Sequence, residues 1–454
     1  MGTYRFRLNN YHAVEKADIA IDGITVLSGV NGAGKSTLSR WLYYIVNGAQ
    51  RFDGFVYKKF VKSLLYVCRR YDRVRREIPY DDEENISITS NEKKQLPSPQ
   101  MFARVELRNL DDETAADRTV DYYNHFVEMM ADSLEKMISS GEPIASKIRL
   151  MHYLDIDEFD NVESSDALQV KNCFRGKCDQ FLTIAISDMH RDLKTRPFSL
   201  LVESVKDYYE EDEAAPEDVS IEEDGVSLLK EGRLAMLLGL RRAIYIDTPL
   251  ALGNNGIDNP FWSELQSYIN DKSAELEIEG NKLLRRIKDI LHGEARFVKT
   301  DSPFDGGELH YLSSDNSIEI NIEDTATGFK TFIYLQRLLE NGYLDNETLL
   351  LIDEPEAHLH PQWVVEYARI LVLLSKRLGV KVMVASHNPD MVAAIQSIAE
   401  REQMEDKVHF YIAEPNGDGG KYQYKDLGIE ISEIFKSFNI ALSRIETYGA
   451  GSIR

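Results

Sequence analysis

The sequence predicts an α/β fold in which a mostly parallel central sheet, flanked by helices, is interrupted by a helix-rich insertion. Three observations predict it. A glycine-rich loop sits between a β-rich run and a helical segment near the N-terminus; short apolar runs alternate with helical segments after Arg242; and the stretch between loses that rhythm. Residues 4–8 alternate apolar with polar, 18–21 offer a second short strand, and 24–27 are β-rich, with a helix expected from about Lys35. Residues 55–240 read as the insertion, with polar breaks at 79–99 and 141–143 and one strand candidate at 102–107. Within it, residues 210–224 hold nine acids in fifteen positions and no base, the pattern of a solvated loop. Strands are then expected at 243–246, between 296 and 322, and at 349–352, 380–385 and 408–412, with a long helical stretch over 261–291. Apolar runs of this kind, separated by helices, suit a buried parallel sheet. The expected organisation is therefore a head in two parts, 1–54 and 241–454, around the insertion at 55–240.

Composition narrows the class of molecule. At ~150 residues per domain, 454 residues suffice for a sizeable core, and 43% apolar content is that of a folded chain. The three cysteines, Cys68, Cys173 and Cys178, form neither a disulfide framework nor a paired zinc motif, which points to a reducing, cytoplasmic setting. No run approaches the ~20 apolar residues that cross a bilayer, so no membrane association is expected. The formal net charge of −23 repels polyanions from most of the surface, so nucleic acid could dock only on a local basic patch.

Chemistry concentrates at three strand ends. Gly29-Val30-Asn31-Gly32-Ala33-Gly34-Lys35-Ser36, followed by Thr37, fits the phosphate-loop pattern G-x-x-x-x-G-K-[ST] in its strand-to-helix context. Glycines let successive N–H groups turn inward around a phosphate, and the helix N-terminus adds partial positive charge. Asn31, Gly32, Ala33 and Gly34 are expected to cradle the phosphates of ATP, Lys35 to reach its β- and γ-phosphates, and Ser36 to ligate Mg2+. The apolar run 349–352 ends in Asp353 and Glu354, where an open α/β sheet presents side chains to ligand. Asp353 suits contact with Mg2+, and Glu354 suits the base that orients and deprotonates water. The run 380–385 ends in Ser386 and His387, whose imidazole could bond the γ-phosphate.

Taken with the string Asp353-Glu354-Pro355-Glu356-Ala357-His358-Leu359-His360-Pro361 and with Ser386-His387-Asn388-Pro389, the phosphate loop resembles the ABC-type ATPases of the SMC/RecF/OLD group. The likeness covers residues 1–54 and 241–415. It implies an ABC-type P-loop ATPase head, Mg-dependent ATP hydrolysis, and a signature loop that completes a partner's nucleotide site in a homodimer or higher oligomer. Thr325-Ala326-Thr327-Gly328-Phe329-Lys330 is the matching segment, Gly328 lying 25 residues before Asp353, with Ala326 or Thr327 where the family has serine. No Q-loop glutamine follows residues 244–246; Asp247 stands there, as a candidate metal or water contact.

The resemblance implies a stand-alone ATPase whose ATP-dependent dimerisation controls a separate effector, a nuclease or toxin, in phage defence or DNA maintenance. With 67 residues after His387, a nuclease domain at that end is not expected. A DNA-binding repair ATPase of the RecF/SMC kind and the nucleotide-binding subunit of a transporter are the alternatives. For DNA, residues 58–76 carry eight bases and one acid, and helical spacing gathers Lys58, Lys62, Arg69, Arg73 and Arg76 on one face, opposite Phe60, Leu64, Val67, Tyr71 and Val74.

Overall fold

In the computed structural model, the structure describes residues 2–75, 96–139, 167–209, 215–248, 251–252, 259–271, 274–298, 308–417 and 420–436. Arg76 and residues 141–143 lie outside them, as does the start of the acidic run at 210–214. The chain divides into two compact units, one of Met1–Gln50 with Leu201–Arg454 and one of Arg51–Leu200.

The first unit opens with β1 (Tyr4–Tyr11), β2 (Val14–Ile21) and β3 (Ile24–Ser28), and α1 (Lys35–Gln50) follows the glycine loop. β1 and β2 bury alternate residues, whereas β3 is buried throughout, the difference between a hairpin covered on one face and a strand covered on both.

In the helix-rich unit, α2 (Phe52–Arg75), α3 (Pro99–Val105), α4 (Asp112–Ser139) and α5 (Ala167–Thr195) precede α6 (Phe198–Tyr209), which begins at the boundary. Phe60, Leu64 and Cys68 of α2, Tyr123, Phe126 and Met130 of α4, and Val170, Phe174 and Cys178 of α5 form one core. These repeats at three- and four-residue spacing are what a helix must bury. Residues 102–107, read as a strand candidate, instead lie largely in α3. Ser98 caps that helix by accepting from the Met101 N–H, and Pro99 starts it with φ already set. All three cysteines are free thiols.

After Leu200 the chain returns to the head, so the helix-rich unit ends there and not at 240. Residues 218–223, expected in a solvated acidic loop, form β4 (Asp218–Glu223), antiparallel to β1 with Phe6 opposite Ile221. Val219, Ile221 and Glu223 point inward. Buried Glu223 is supplied with donors, accepting from the Tyr4 hydroxyl at 2.8 Å and from the N–H groups of Leu238 and Gly239 at 2.9 and 2.7 Å. Such saturation lets a carboxylate be buried. At the joint, Gly48 of α1 leaves space for Leu201; a Cβ there would meet a Leu201 methyl at 2.2 Å.

Short strands β5 (Val226–Ser227), β6 (Leu229–Lys230) and β7 (Arg233–Leu234) lead to β8 (Arg242–Ile246). The 261–291 stretch is two helices, α7 (Pro260–Asn270) and α8 (Ile278–Leu291). β9 (Gly293–Val298), β10 (Glu308–Ser313) and β11 (Glu319–Asn321) make a separate antiparallel sheet. Next come α9 (Thr327–Glu340), β12 (Thr348–Asp353), α10 (Pro361–Leu378), β13 (Lys381–Ser386), α11 (Pro389–Arg401), β14 (Val408–Pro415) and β15 (Tyr422–Asp426).

The main sheet has ten strands in the order β5-β4-β1-β2-β15-β14-β3-β13-β12-β8. Its centre, β14-β3-β13-β12-β8, is parallel throughout, and the antiparallel pairs lie toward one edge. β3, β12 and β13 therefore end side by side, bringing Ser28, Asp353 and Ser386 to one edge of the sheet. No helix among the described residues is long and apolar enough to cross a membrane.

The β4 assignment has a direct check. Ile221→Ala removes a fully buried side chain and is expected to cost about 2–4 kcal/mol in urea unfolding, where a residue of a solvated loop would cost under about 0.5 kcal/mol.

Candidate functional site

The glycine loop takes its shape from backbone sterics. Gly34 has φ +90°, which L side chains rarely adopt, and a Cβ there would meet Val14 Cγ2 at 2.6 Å, so the turn at the start of α1 requires glycine. The buried Tyr424 hydroxyl donates to the Ala33 carbonyl at 3.1 Å and ties the loop to β15. Beside it lies a cavity of about 330 Å³, lined by His12, Ala13, Asn31, Gly32, Gly34, Lys35, Ser36, Thr37, Glu354 and Ala385.

Lys35 is buried, and its ammonium donates to the carbonyls of Gly29 at 3.0 Å and Val30 at 3.1 Å. Burial holds it below its ordinary value, against the opposing pull of Glu354, Asp353 and Glu356. Asp353 lies behind the cavity wall. It accepts from Ser39 Oγ at 3.0 Å and from the Tyr245 hydroxyl at 2.8 Å, and Ser36 also hydrogen-bonds to it. Burial nevertheless pushes its carboxyl above the ordinary range. A buried ammonium and a buried carboxylate, each at a cost in lost solvent, flank a cavity lined by the glycine loop. That charge pattern suits a polyphosphate with a divalent cation.

Glu354, one residue on, turns into the left-handed region at φ +46°, unusual for a residue with a long side chain. Its N–H donates to the Ala385 carbonyl at 2.8 Å, which anchors the turn to β13 and leaves the carboxylate half-exposed at the cavity. His387 Nδ1 stands 3.4 Å from Glu354 Oε1 and 3.7 Å from Glu356 Oε1. Glu356 is buried; its Oε1 accepts from Ser386 Oγ at 2.6 Å and from the His387 N–H at 3.1 Å, while Oε2 has no partner among the described residues. The Asn388 side chain caps α11 immediately after.

The sequence-predicted residues do not all meet at one place. Asn31, Gly32, Gly34, Lys35, Ser36, Thr37 and Glu354 line one cavity, with Asp353 and His387 next to it. Ala33 is buried under the loop. Gly328 stands apart, at the start of α9, whose N-cap Ala326 makes no side-chain cap, and beside His358 and Trp363. Asp247, considered for metal or water, accepts from the Trp262 indole at 2.9 Å. On α2, Lys58, Lys62, Arg69 and Arg73 are exposed and Phe60 and Leu64 buried, with Lys58 3.8 Å from Asp112. His12, Ser39 and Tyr245 carried no sequence signal of their own, because their roles come from partners distant in the chain, and Glu356 stood in the recognised string without an assigned role.

Residues 254–392 match the AAA ATPase domain family. The chain carries an ATPase domain. The matched span includes Gly328, Asp353, Glu354 and His387, and the phosphate loop lies outside it. In sequence, the chain is 32% identical over 145 residues to the Septu protein PtuA of Bacillus thuringiensis, a match covering 29% of this chain and 34% of that protein. The matched segment thus spans about a third of that relative's length. Among solved structures, the Smc head domain of Pyrococcus furiosus bound to the C-terminal domain of ScpA aligns over 98% of this chain and 100% of that one, at 13% identity and a TM-score of 0.32. An ATP-binding cassette of an ABC transporter in its ADP conformation aligns over 96% and 98%, at 10% identity and a TM-score of 0.33.

A further buried carboxyl near the candidate site gives a pH test. Glu264 of α7 accepts from the Tyr43 hydroxyl of α1, and burial raises it from 4.5 to about 7. Because the folded value lies above the unfolded one, its contribution is full below pH 4.5 and is lost as pH rises through 7. Relative to Glu264→Gln, the wild type should lose about 3 kcal/mol in denaturant unfolding between pH 4.5 and 8. A gap that does not change with pH would contradict the raised value.

Proposed function

We propose that the protein binds and hydrolyses Mg-ATP at the cavity beside the glycine loop, and that ATP-dependent dimerisation controls a separate effector protein. The observation that carries the reading is the meeting of Lys35 and Ser36 with Asp353 and Glu354 at the shared end of β3 and β12. The loop N–H groups and Lys35 hold the phosphates; the Lys35 ammonium turns from the Gly29 and Val30 carbonyls toward the β- and γ-oxygens. Ser36 and Asp353 would hold Mg2+, which supplies charge neutralisation on those oxygens. Glu354 accepts the proton of the attacking water, and its turned backbone aims the carboxylate at the cavity. His387, held by Glu356 through its own N–H, bonds the γ-phosphate.

Gly328 and the uncapped start of α9 meet the γ-phosphate bound by a second copy, so each nucleotide is closed by two chains. The sequence likeness to a Septu protein supports antiviral defence as the setting, with a nuclease or toxin as the effector class. Duplex DNA on the exposed cations of α2 is the second reading, favoured by the exposure of Lys62, Arg69 and Arg73.

Lys35→Ala is expected to reduce ATP turnover to background in a phosphate-release assay, because the buried cation facing the phosphates is gone. Undiminished hydrolysis would remove the loop from the reaction. Glu354→Gln should retain Mg-ATP yet hydrolyse it at least ~100-fold more slowly. Light scattering should then find that ATP doubles the mass of this variant; a monomer with and without nucleotide would sink the two-copy site.

A further inference from the structure

A basic cleft lies apart from the cavity just described. It has a volume of about 870 Å³ between α8 and the start of α10. Lys282, Arg285, Arg286 and Arg369 bring cations to it, Asp289 and Glu366 the acids. Lys282 pairs with Glu279 and Arg369 reaches Glu366 at 3.9 Å, but Arg285 and Arg286 make no ion pair among the described residues. Arg377 of α10 is bound to Glu279 of α8 at 2.9 Å, which holds the two helices at this separation. Burial, and then the charges of Arg369 and Arg377, hold the Arg286 guanidinium below its ordinary value against the opposing pull of Glu366 and Asp289. In a chain of net charge −23, a cleft lined by four cations and two acids is an electrostatic exception.

The same cleft is also apolar. Val365 is 44% exposed within it, with Ile290 and Trp363 beside it. Phosphate recognition would need the guanidinium forks but no exposed valine, and duplex DNA, with one charge per ~1.7 Å, would meet repulsion from the rest of this acidic surface. A short acidic segment with an apolar anchor satisfies both halves of the lining.

We propose that the cleft between α8 and α10 docks an acidic, apolar-anchored segment of a partner protein. This rests on the reading of a separate effector and names the chemistry by which it would be held. Trp363 connects the cleft to α9: its ring packs edge-on to Phe329 at 5.0 Å, and it is the side chain nearest to a Cβ placed on Gly328, at 3.4 Å. A partner seated here is therefore one aromatic ring from the segment that closes on nucleotide.

The test measures fluorescence anisotropy of the full chain with three probes: a short synthetic peptide of Glu and Leu, a peptide of equal charge with Ser in place of Leu, and a short duplex DNA. The Glu/Leu peptide should bind at least ~10-fold tighter than the Glu/Ser peptide, and Arg285→Glu with Arg286→Glu should weaken it by a similar factor. Val365→Ser should remove the preference between the peptides. Arg285→Glu alone, at an exposed position, should weaken binding too, which keeps the test sound if the double variant folds poorly. Failure of the Glu/Leu peptide to bind, equal binding of the two peptides, insensitivity to the arginine reversals, or tighter binding of duplex DNA that depends on Arg285 would each overturn the proposal. ATP turnover is read in parallel: wild-type chain that binds the Glu/Leu peptide as predicted but hydrolyses no ATP would leave the cleft assignment standing and remove the ATPase cycle.

Discussion

Desolvated charge at the edge of a parallel sheet is the constraint on which the rest of this molecule depends. Lys35 and Asp353 are buried, and burial works against the charged form of each. Neither could be held there by its own helix or strand. Asp353 is held by hydroxyls from three directions, Ser36 and Ser39 on α1 and Tyr245 on β8, and Lys35 by two loop carbonyls. The order β3-β13-β12-β8 is what makes that convergence geometrically available, since α1 follows β3 and packs across the neighbouring strands. A buried group that is satisfied but electrostatically costly is poised to gain when a complementary charge arrives, so the fold keeps its binding energy in reserve at one edge.

Much of the head was legible because its signals are local. The glycine loop, the apolar run ending in Asp353 and Glu354, and the run ending in Ser386 and His387 each declare their element and their end within a few residues, and parallel strands buried on both faces read as continuous apolar runs. What escaped depends on distant partners. Residues 218–223 look like part of an acidic loop because Glu222 and Glu223 dilute the alternation of Val219 and Ile221. Only β1, more than two hundred positions earlier, supplies the Tyr4 hydroxyl that helps make Glu223 buriable and the Arg7 guanidinium that pairs with Glu222. Residues 102–107 look β-rich through Val105 and Leu107, but Ser98-Pro99 is a helix start, and it outweighs them.

The candidate site was legible in its first ring and not in its second. Motif spacing named Lys35, Ser36, Asp353, Glu354 and His387, but Tyr245 and Ser39, which hold Asp353, are ordinary residues of a strand and a helix until the sheet is assembled, and Glu356, although inside the quoted string, shows its hold on the His387 backbone only then. The cleft between α8 and α10 escaped for a similar reason. Lys282, Arg285, Arg286 and Lys288 do cluster on α8, but Arg369 comes more than eighty positions after Arg286, so the sequence shows the cations of one helix and not the cleft they share with α10.

The contact of Gly48 with Leu201 carries a consequence for the segment between them. Where a chain leaves a domain and where it re-enters are in van der Waals reach, the intervening segment can grow or shrink with little effect on the packing of the host, because loop closure costs only ~0.6 kcal/mol for each doubling of length. Residues 51–200 sit in such a position. A segment of another length between Gln50 and Leu201 would therefore add little to the closure cost, and exchange of the helical unit there is compatible with the head's own packing.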